Sequence, residues 1–533
     1  VSTPPDRTPA APQHLVLVLL DSLNRHLLGC YGGEEFATPR LDAFANSAVR
    51  FTDHQAGSLP CIPARHDLLC GSWDFLWRPW GSVELWESAV TSPLRRAGVT
   101  TKLVSDHPHL FETGGENYHV DFTAWDYQRG HESDPWRTAP DPSWVGAPSF
   151  HRPHMPYDDS RGWFRDEADF PGPRTMSAAA RWITDEAPAA DRWLLVVDEF
   201  DPHEPFDTPE PWASMYDPGW DVERDGPHLV WPPYAVDGVA SGQLTEREAR
   251  QVRAQYGAKL SMIDHWFGRL LDALDRTGRS DDTAVIVCTD HGHYLGEGDL
   301  WGKPGTWVRN TLGHIPLLVR WPGATPGTCD ALTTTVDLHA TICEVFGVRA
   351  EHRTHGRSLV PLLTGDAPSI RDHVLGGVWG REVNLVTPTV RFACGSVGGD
   401  EPRSMWSNRW STMPVHTDAD GVTWMPVPDD RARLDRMPGS DIPVIRQPFR
   451  AGDLLPFWAW GSSTGDHLVD RVEDPDERVD LVATAGDDPT TRRAVAEARE
   501  QLREALVAVE APDDQFVRLG LSPVRQQGET GGA

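Results

Sequence analysis

His14-Leu-Val-Leu-Val-Leu-Leu-Asp21 reads as a strand buried on both faces that ends in an acid. The apolar run from Leu15 to Leu20 leaves no polar face, the pattern of a parallel strand covered by helices on either side. The pattern returns at Arg192-Trp-Leu-Leu-Val-Val-Asp-Glu-Phe200 and at Thr283-Ala-Val-Ile-Val-Cys-Thr-Asp290. Thr100 to Val104 and Ile315 to Trp321 add two strands. Helical patterns lie between them. A stripe at Leu41, Phe44, Ala45 and Ala48 runs from Thr38-Pro39 toward Phe51, a short helix spans Thr91 to Gly98, and a long one spans Glu246 to Thr277. This alternation predicts an α/β fold with a doubly wound, mostly parallel sheet. Ligands of such sheets sit beyond the carboxyl ends of the strands, so Asp21 and Asp290 are expected to converge on one site.

The 533 residues exceed what one core usually serves. The larger α/β domain is expected over residues 1–366, with a Pro-, Trp-, Asp- and Arg-rich insertion or lid at 130–180. A Pro/Gly-rich shift near Gly365 to Pro368 marks the boundary. Residues 367–533 are expected to form a smaller α+β subdomain. Its strands and turns run from Val374 to Ala393 and from Thr464 to Leu481, and an amphipathic helix from Thr491 to Val509 closes it.

Lys plus Arg total 49 against Asp plus Glu 79, a formal net charge of −30. That excess argues against nucleic acid and anionic membrane as partners. An anionic substrate would need a local focus of metal and basic groups. Cys30, Cys61, Cys70, Cys288, Cys329, Cys343 and Cys394 are scattered, without a CxxC pair, and read as reduced thiols. The first residues lack a basic n-region, and Leu15 to Leu20 is too short for a membrane span. A cytoplasmic, soluble protein is the expectation. Trp73, Trp77, Trp80, Trp86, Trp125, Trp136 and Trp144 fall in a polar, Pro-rich context. Packing under long loops is the first reading. The stretch Trp73 to Trp86, with Arg78, is the alternative place for an aryl, sugar or lipid group.

Cys61-Ile62-Pro63-Ala64-Arg65 has Pro at +2 and Arg at +4 from the cysteine. That is the tag a maturation enzyme reads when it oxidises cysteine to Cα-formylglycine. The surrounding motifs resemble the formylglycine-dependent sulfatase family of the alkaline phosphatase superfamily, in order and over most of the chain. Leu19-Leu20-Asp21-Ser22-Leu23 with Gly29-Cys30-Tyr31-Gly32 resembles the first metal motif. Thr38-Pro39, Leu41-Asp42 and Ala45 resemble the following helix. Cys61 to Arg65 with Leu68-Leu69-Cys70-Gly71 resembles the nucleophile signature. Asp201-Pro-His203-Glu-Pro205-Phe206 resembles a "DPHxPF" loop. Thr289-Asp290-His291-Gly292, Leu295-Gly296-Glu297 and Trp301-Gly302-Lys303 resemble the second metal motif and its trailing lysine. His355-Gly-Arg-Ser-Leu-Val-Pro-Leu-Leu363, and Leu468-Val-Asp470 with Asp474-Pro475, Glu477 and Asp480-Leu481, resemble the later segments.

The resemblance implies one divalent metal ion, Ca2+ or Mn2+, on Asp21, Asp290, His291 and the modified Cys61, since carboxylate oxygens suit hard cations and a histidine admits Mn2+. It implies that a hydroxyl of the formylglycine hydrate attacks sulfur or phosphorus and forms a covalent ester. Arg65, one helical turn on, would hold the hydrate. Lys303 would bind a nonbridging oxygen, and His203 would serve the leaving oxygen. A formylglycine-generating enzyme is the implied maturation partner, and a small-molecule sulfate or phosphorus ester the substrate. The oligomeric state is left open.

Two positions depart from the family pattern. Ser22 stands where many members carry a second acid, with Ser22 or Asn24 left to complete the metal set. Val104-Ser105-Asp106-His107-Pro108-His109 replaces a "GKWHLG"-like turn, so Asp106 stands for the lysine, and His107 or His109 is the residue to reach the site. The leading expectation is a sulfuric ester hydrolase. Phosphonate monoester or phosphodiester hydrolysis with the same nucleophile is the alternative, and a non-catalytic anion-binding pseudoenzyme is a third.

Overall fold

The computed structural model describes residues 11–521 except 145–149, 151–155, 398–400, 412, 414, 418–420, 424–426, 451, 454, 457 and 459–464. The apolar strand spans His14–Leu20, buried throughout. Its side chains alternate between two cores, as a period of two requires. Val16, Val18 and Leu20 join Phe44, Met176, Trp182, Leu260 and Phe267 on one face. Leu15, Leu17 and Leu19 join Ile62, Leu69, Leu94, Leu338 and Ile342 on the other. No residue faces water, so the run has no polar alternation.

The strand lies within a nine-stranded sheet. The spatial order is Gly327–Cys329, Val49–Gln55, His314–Arg320, Thr283–Cys288, His14–Leu20, Trp193–Glu199, Thr100–Ser105 and Ala124–Tyr127, and Thr333–Thr334 also pairs with Val49–Gln55. Every pairing is parallel except those of His314–Arg320, which is antiparallel to both neighbours. The expected doubly wound, mostly parallel sheet is present. The helical stripe expected to continue toward Phe51 stops at Ala45. Val49–Gln55 is instead a strand with Val49 and Phe51 buried and Arg50 and Thr52 half-buried. That alternation is a strand's, and Leu41, Phe44 and Ala48 masked it.

Glu246–Arg276 begins with a capping box between Thr245 and Glu248. Pro171–Asp185 packs along it. This second helix overlaps the end of the stretch expected as an insertion at 130–180, yet it buries Thr175, Met176, Ala179 and Trp182 and belongs to the framework. Part of that stretch, 145–149 and 151–155, lies outside the described residues, as do residues 1–10. Cys61–Cys70 and Thr335–Phe346 cover the opposite face.

A five-stranded sheet takes Ser58–Leu59, Val374–Val378, Val383–Val386, Val390–Cys394 and His467–Asp470. Ser58–Leu59 runs parallel to Val374–Val378, so the residues just before Cys61 form an edge of the C-terminal sheet. The helix Pro489–Ala508 contributes Ala498, Leu502 and Leu506 to a core shared with Trp73, Phe75, Leu76 and Trp77. The expected division near residue 366 falls between the helix Val360–Thr364 and the strand Val374–Val378. No helix among the described residues is long and apolar enough to cross a membrane.

Candidate active site

Three adjacent strands bring three acids together. Leu19 stands beside Asp198 on one side and Cys288 on the other, so Asp21, Asp198 and Asp290 all lie at the carboxyl edge. Ser22 turns the chain sharply, at φ 61° in the left-handed region. Its N–H donates to Asp290 Oδ1 (3.1 Å) and its hydroxyl to Asp21 Oδ1 (2.8 Å). Cys61 is the first residue of its helix, where the helix dipole favours negative charge. One ligand atom each from Asp21, Cys61, Asp290 and His291 lies within 4.8 Å of every other, and all four residues are buried.

Arg65 sits one turn along the same helix and is buried. Its Nε and Nη2 donate to the two oxygens of Asp198 at 2.9 and 2.6 Å. Its Nη1 donates to Asp290 Oδ2 (2.8 Å) and to the Cys61 carbonyl (3.1 Å). Nη2 lies 2.9 Å from Asp21 Oδ2, an oxygen without an aligned hydrogen bond among the described residues. Asp198 was not singled out from the sequence. It ends an apolar run beside a second acid, Glu199, and only the strand register selects between them.

The donors fit a divalent cation. His291 Nδ1 donates to the Gly292 carbonyl (2.9 Å), leaving Nε2 aimed at Cys61 Sγ (3.3 Å). Burial holds that ring neutral, down at about 4, as a ligand must be. Burial and Asp290 push Asp21 up, whereas His291 and Arg65 hold Asp290 low against its own burial. Arg65 already bridges the two carboxylates, yet Asp21 stays raised, and a divalent cation at the same oxygens would favour its ionised form. Burial and Asp21 also push the Cys61 thiol well above its ordinary range. With no cation at the cluster, a thiolate is therefore disfavoured at Cys61.

His107 reaches this cluster and His109 does not. His107 Nδ1 accepts from the His109 N–H (3.2 Å), which puts its proton on Nε2, 3.7 Å from Asp21 Oδ2. Burial and Arg65 keep the ring neutral. His109 is pinned between Glu112 and Glu132. Burial opposes its charge, but Glu132 and Glu112 outweigh it and raise the ring to about 10. Asp106 accepts from the Phe200 N–H (2.8 Å) and faces Asp201.

Lys303 is buried, and its ammonium donates to His203 Nε2 (2.7 Å). His203 Nδ1 in turn donates to the Glu204 carbonyl (2.8 Å). The family resemblance implies that His203 serves the leaving oxygen, as a hydrogen-bond donor or general acid. Its Nε2 is an acceptor here, and burial and Lys303 keep the ring neutral, so Lys303 is the donor of the pair. Lys259, on the long helix, donates to the carbonyls of His203 (3.0 Å) and Pro205 (2.7 Å) and pairs with Asp201 at 2.5 Å. Nothing in the sequence separates Lys259 from a solvent-facing helix lysine.

Other expectations are corrected. Asn24 donates to the His293 carbonyl (2.9 Å) and Glu297 (3.0 Å), not to the cluster. Arg78 is buried and held by Asp74 (2.7 Å) and the Ser82 carbonyl (2.6 Å), which removes it as a substrate contact. Trp73, Trp77 and Trp80 are buried core residues, so the packing reading holds for them.

Residues 13–348 match the Sulfatase family model, and the chain belongs to that family. It is similar to a choline-sulfatase of Rhizobium meliloti (strain 1021), 28% identical over 66% of this chain and 72% of that one. It is also similar to a multifunctional alkaline phosphatase superfamily protein, PehA, of Trinickia caryophylli, 27% identical over 67% and 78%. A solved phosphonate monoester hydrolase of Agrobacterium radiobacter shares the fold, with a TM-score of 0.59 at 20% identity over 94% and 95%.

Proposed function

We propose that the protein is a sulfuric ester hydrolase that uses a formylglycine made from Cys61 and one divalent cation, Ca2+ or Mn2+, through a covalent sulfoenzyme. The convergence of Asp21, Cys61, Asp290 and His291 from separate segments carries this reading. Asp21, Asp290 and His291 would hold the cation, with an oxygen of residue 61. When bound, the cation supplies positive charge that keeps a hydroxyl ionised and offsets the sulfate oxygens. In the hydrated aldehyde one hydroxyl would attack sulfur as the S–O bond to the alcohol breaks and that oxygen takes up a proton, and deprotonation of the second hydroxyl would then break the carbon–oxygen bond, releasing sulfate and restoring the aldehyde.

The remaining steps fall to this chain's own groups. Arg65, fixed by Asp198, sets the place of residue 61 and offsets charge. His107 directs its Nε2–H toward the cluster. Lys303, aimed by His203, stabilises negative charge on the ester oxygens. The substrate is a small-molecule ester, and a formylglycine-generating enzyme matures the chain. We place the protein in the cytoplasm, a reading supported by its seven free cysteines.

The test is kcat/KM on an aryl sulfate, an aryl phosphodiester and an aryl phosphonate monoester. The sulfate should lead. A phosphorus ester far ahead of it would instead establish phosphonate monoester or phosphodiester hydrolysis, which is favoured by Ser22 bonding Asp21 where a second acid would stand. Tight anion binding without turnover in fully converted protein would mark a pseudoenzyme.

A further inference from the structure

The far end of the Cys61 helix holds donors that this chemistry does not use. His66 and Cys70 stand four residues apart, on one helix face. Glu87 approaches from the following loop. All three side chains are buried, and one ligand atom from each lies within 4.8 Å of the others. His66 Nε2 lies 2.8 Å from Glu87 Oε1, without the alignment of a hydrogen bond. Asp74 Oδ2, also buried, has no hydrogen-bond partner among the described residues and lies 3.8 Å from His66 Nδ1.

We propose that His66, Cys70 and Glu87 form a zinc-binding site that ties the end of the Cys61 helix to the loop through residue 87. A thiolate, an imidazole and a carboxylate in one buried cluster match Zn2+, whereas Ca2+ takes oxygen ligands alone. Asp74 or a water completes the four. The exchange balances in charge. Burial disfavours the His66 imidazolium, but Asp74 and Glu87 outweigh it and keep the ring protonated. Burial raises the Cys70 thiol to about 11. Binding Zn2+ releases one proton from each, so two positive charges enter and two leave, with Arg78 still paired to Asp74. A small pocket lined by Asp74, Trp86, Glu87, His352 and His355 borders the cluster on the Glu87 side.

The test uses the full chain carrying Cys61→Ser, so that no thiolate comes from the catalytic cluster. The chain should retain, against a micromolar chelator, one zinc per molecule more than the same chain with Cys70→Ser added, since Asp21, Asp290 and His291 can hold a zinc of their own. Its Co2+ form should show a sulfur-to-metal charge-transfer band. Adding Cys70→Ser should remove that one zinc and the band while leaving the circular dichroism spectrum unchanged. Failure to retain that zinc, or a band that survives Cys70→Ser, overturns the proposal. Should Cys70→Ser not fold, the Co2+ charge-transfer band of the Cys61→Ser chain decides, and its absence overturns the proposal. Alkylation of Cys70, read by peptide mass, should slow about ten-fold at zinc ten times its Kd, and an unchanged rate overturns the site.

Discussion

Asp198→Asn keeps the shape of the side chain and removes the charge that holds Arg65. Two hydrogen bonds, at 2.9 and 2.6 Å, join the buried pair. A hydrogen bond to a charged group contributes about 1.5–3 kcal/mol, and breaking a buried ion pair costs about 3–5 kcal/mol. Arg65 keeps Asp21 and Asp290 as partners, at 2.9 and 2.8 Å, so the lower figure applies. About 3 kcal/mol lost from the placement of Arg65 lowers kcat/KM by about 10^2-fold. The released guanidinium also competes harder with the cation for Asp21 and Asp290. The metal concentration for half-maximal rate should therefore rise. The assay is aryl sulfate turnover at graded Ca2+ or Mn2+, with a thermal melt as the check on folding. A folded variant within three-fold of the parent, at an unchanged metal midpoint, would refute the reasoning.

Lys303→Met should lower kcat by about 10^2–10^3-fold, the size expected when one donor to developing charge is lost; steady-state kinetics on an aryl sulfate measures it. Lys259→Met leaves Asp201 and the carbonyls of His203 and Pro205 without their ammonium. It should lower kcat by about ten-fold through misplaced His203, with Lys259→Arg partly restoring it. His109 titrates higher folded, near 10, than its ordinary value of about 6.5. The stability it contributes is complete below about pH 6.5 and is lost as pH rises toward 10. The melting temperature should fall across that window, and His109→Gln should flatten the fall.

The strand ends made part of the site legible, because ligands of such sheets sit beyond the carboxyl ends of the strands, where an acid closing an apolar run is placed. Asp21 and Asp290 followed from that pattern, whereas the roles of Cys61 and Arg65 came from the resemblance of their segment to the nucleophile signature. Asp198 did not, since its partner is 133 residues away and only register places it. Lys259 is one basic residue on a helix with several. His203 was found, but its direction depends on which ring nitrogen meets Lys303. Val49–Gln55 went unread because apolar residues before it suited a helix as well as a turn. The parallel pairing of Ser58–Leu59 with Val374–Val378 joins segments more than 300 residues apart, beyond the reach of any local pattern.

The central claim is that residue 61 acts as an aldehyde hydrate and not as a thiol. The direct measurement is peptide mass at residue 61 beside turnover, over samples coexpressed with graded amounts of the formylglycine-generating enzyme. Turnover per molecule should rise in proportion to the aldehyde fraction and vanish in Cys61→Ala. Equal turnover from protein that retains the thiol would contradict the account.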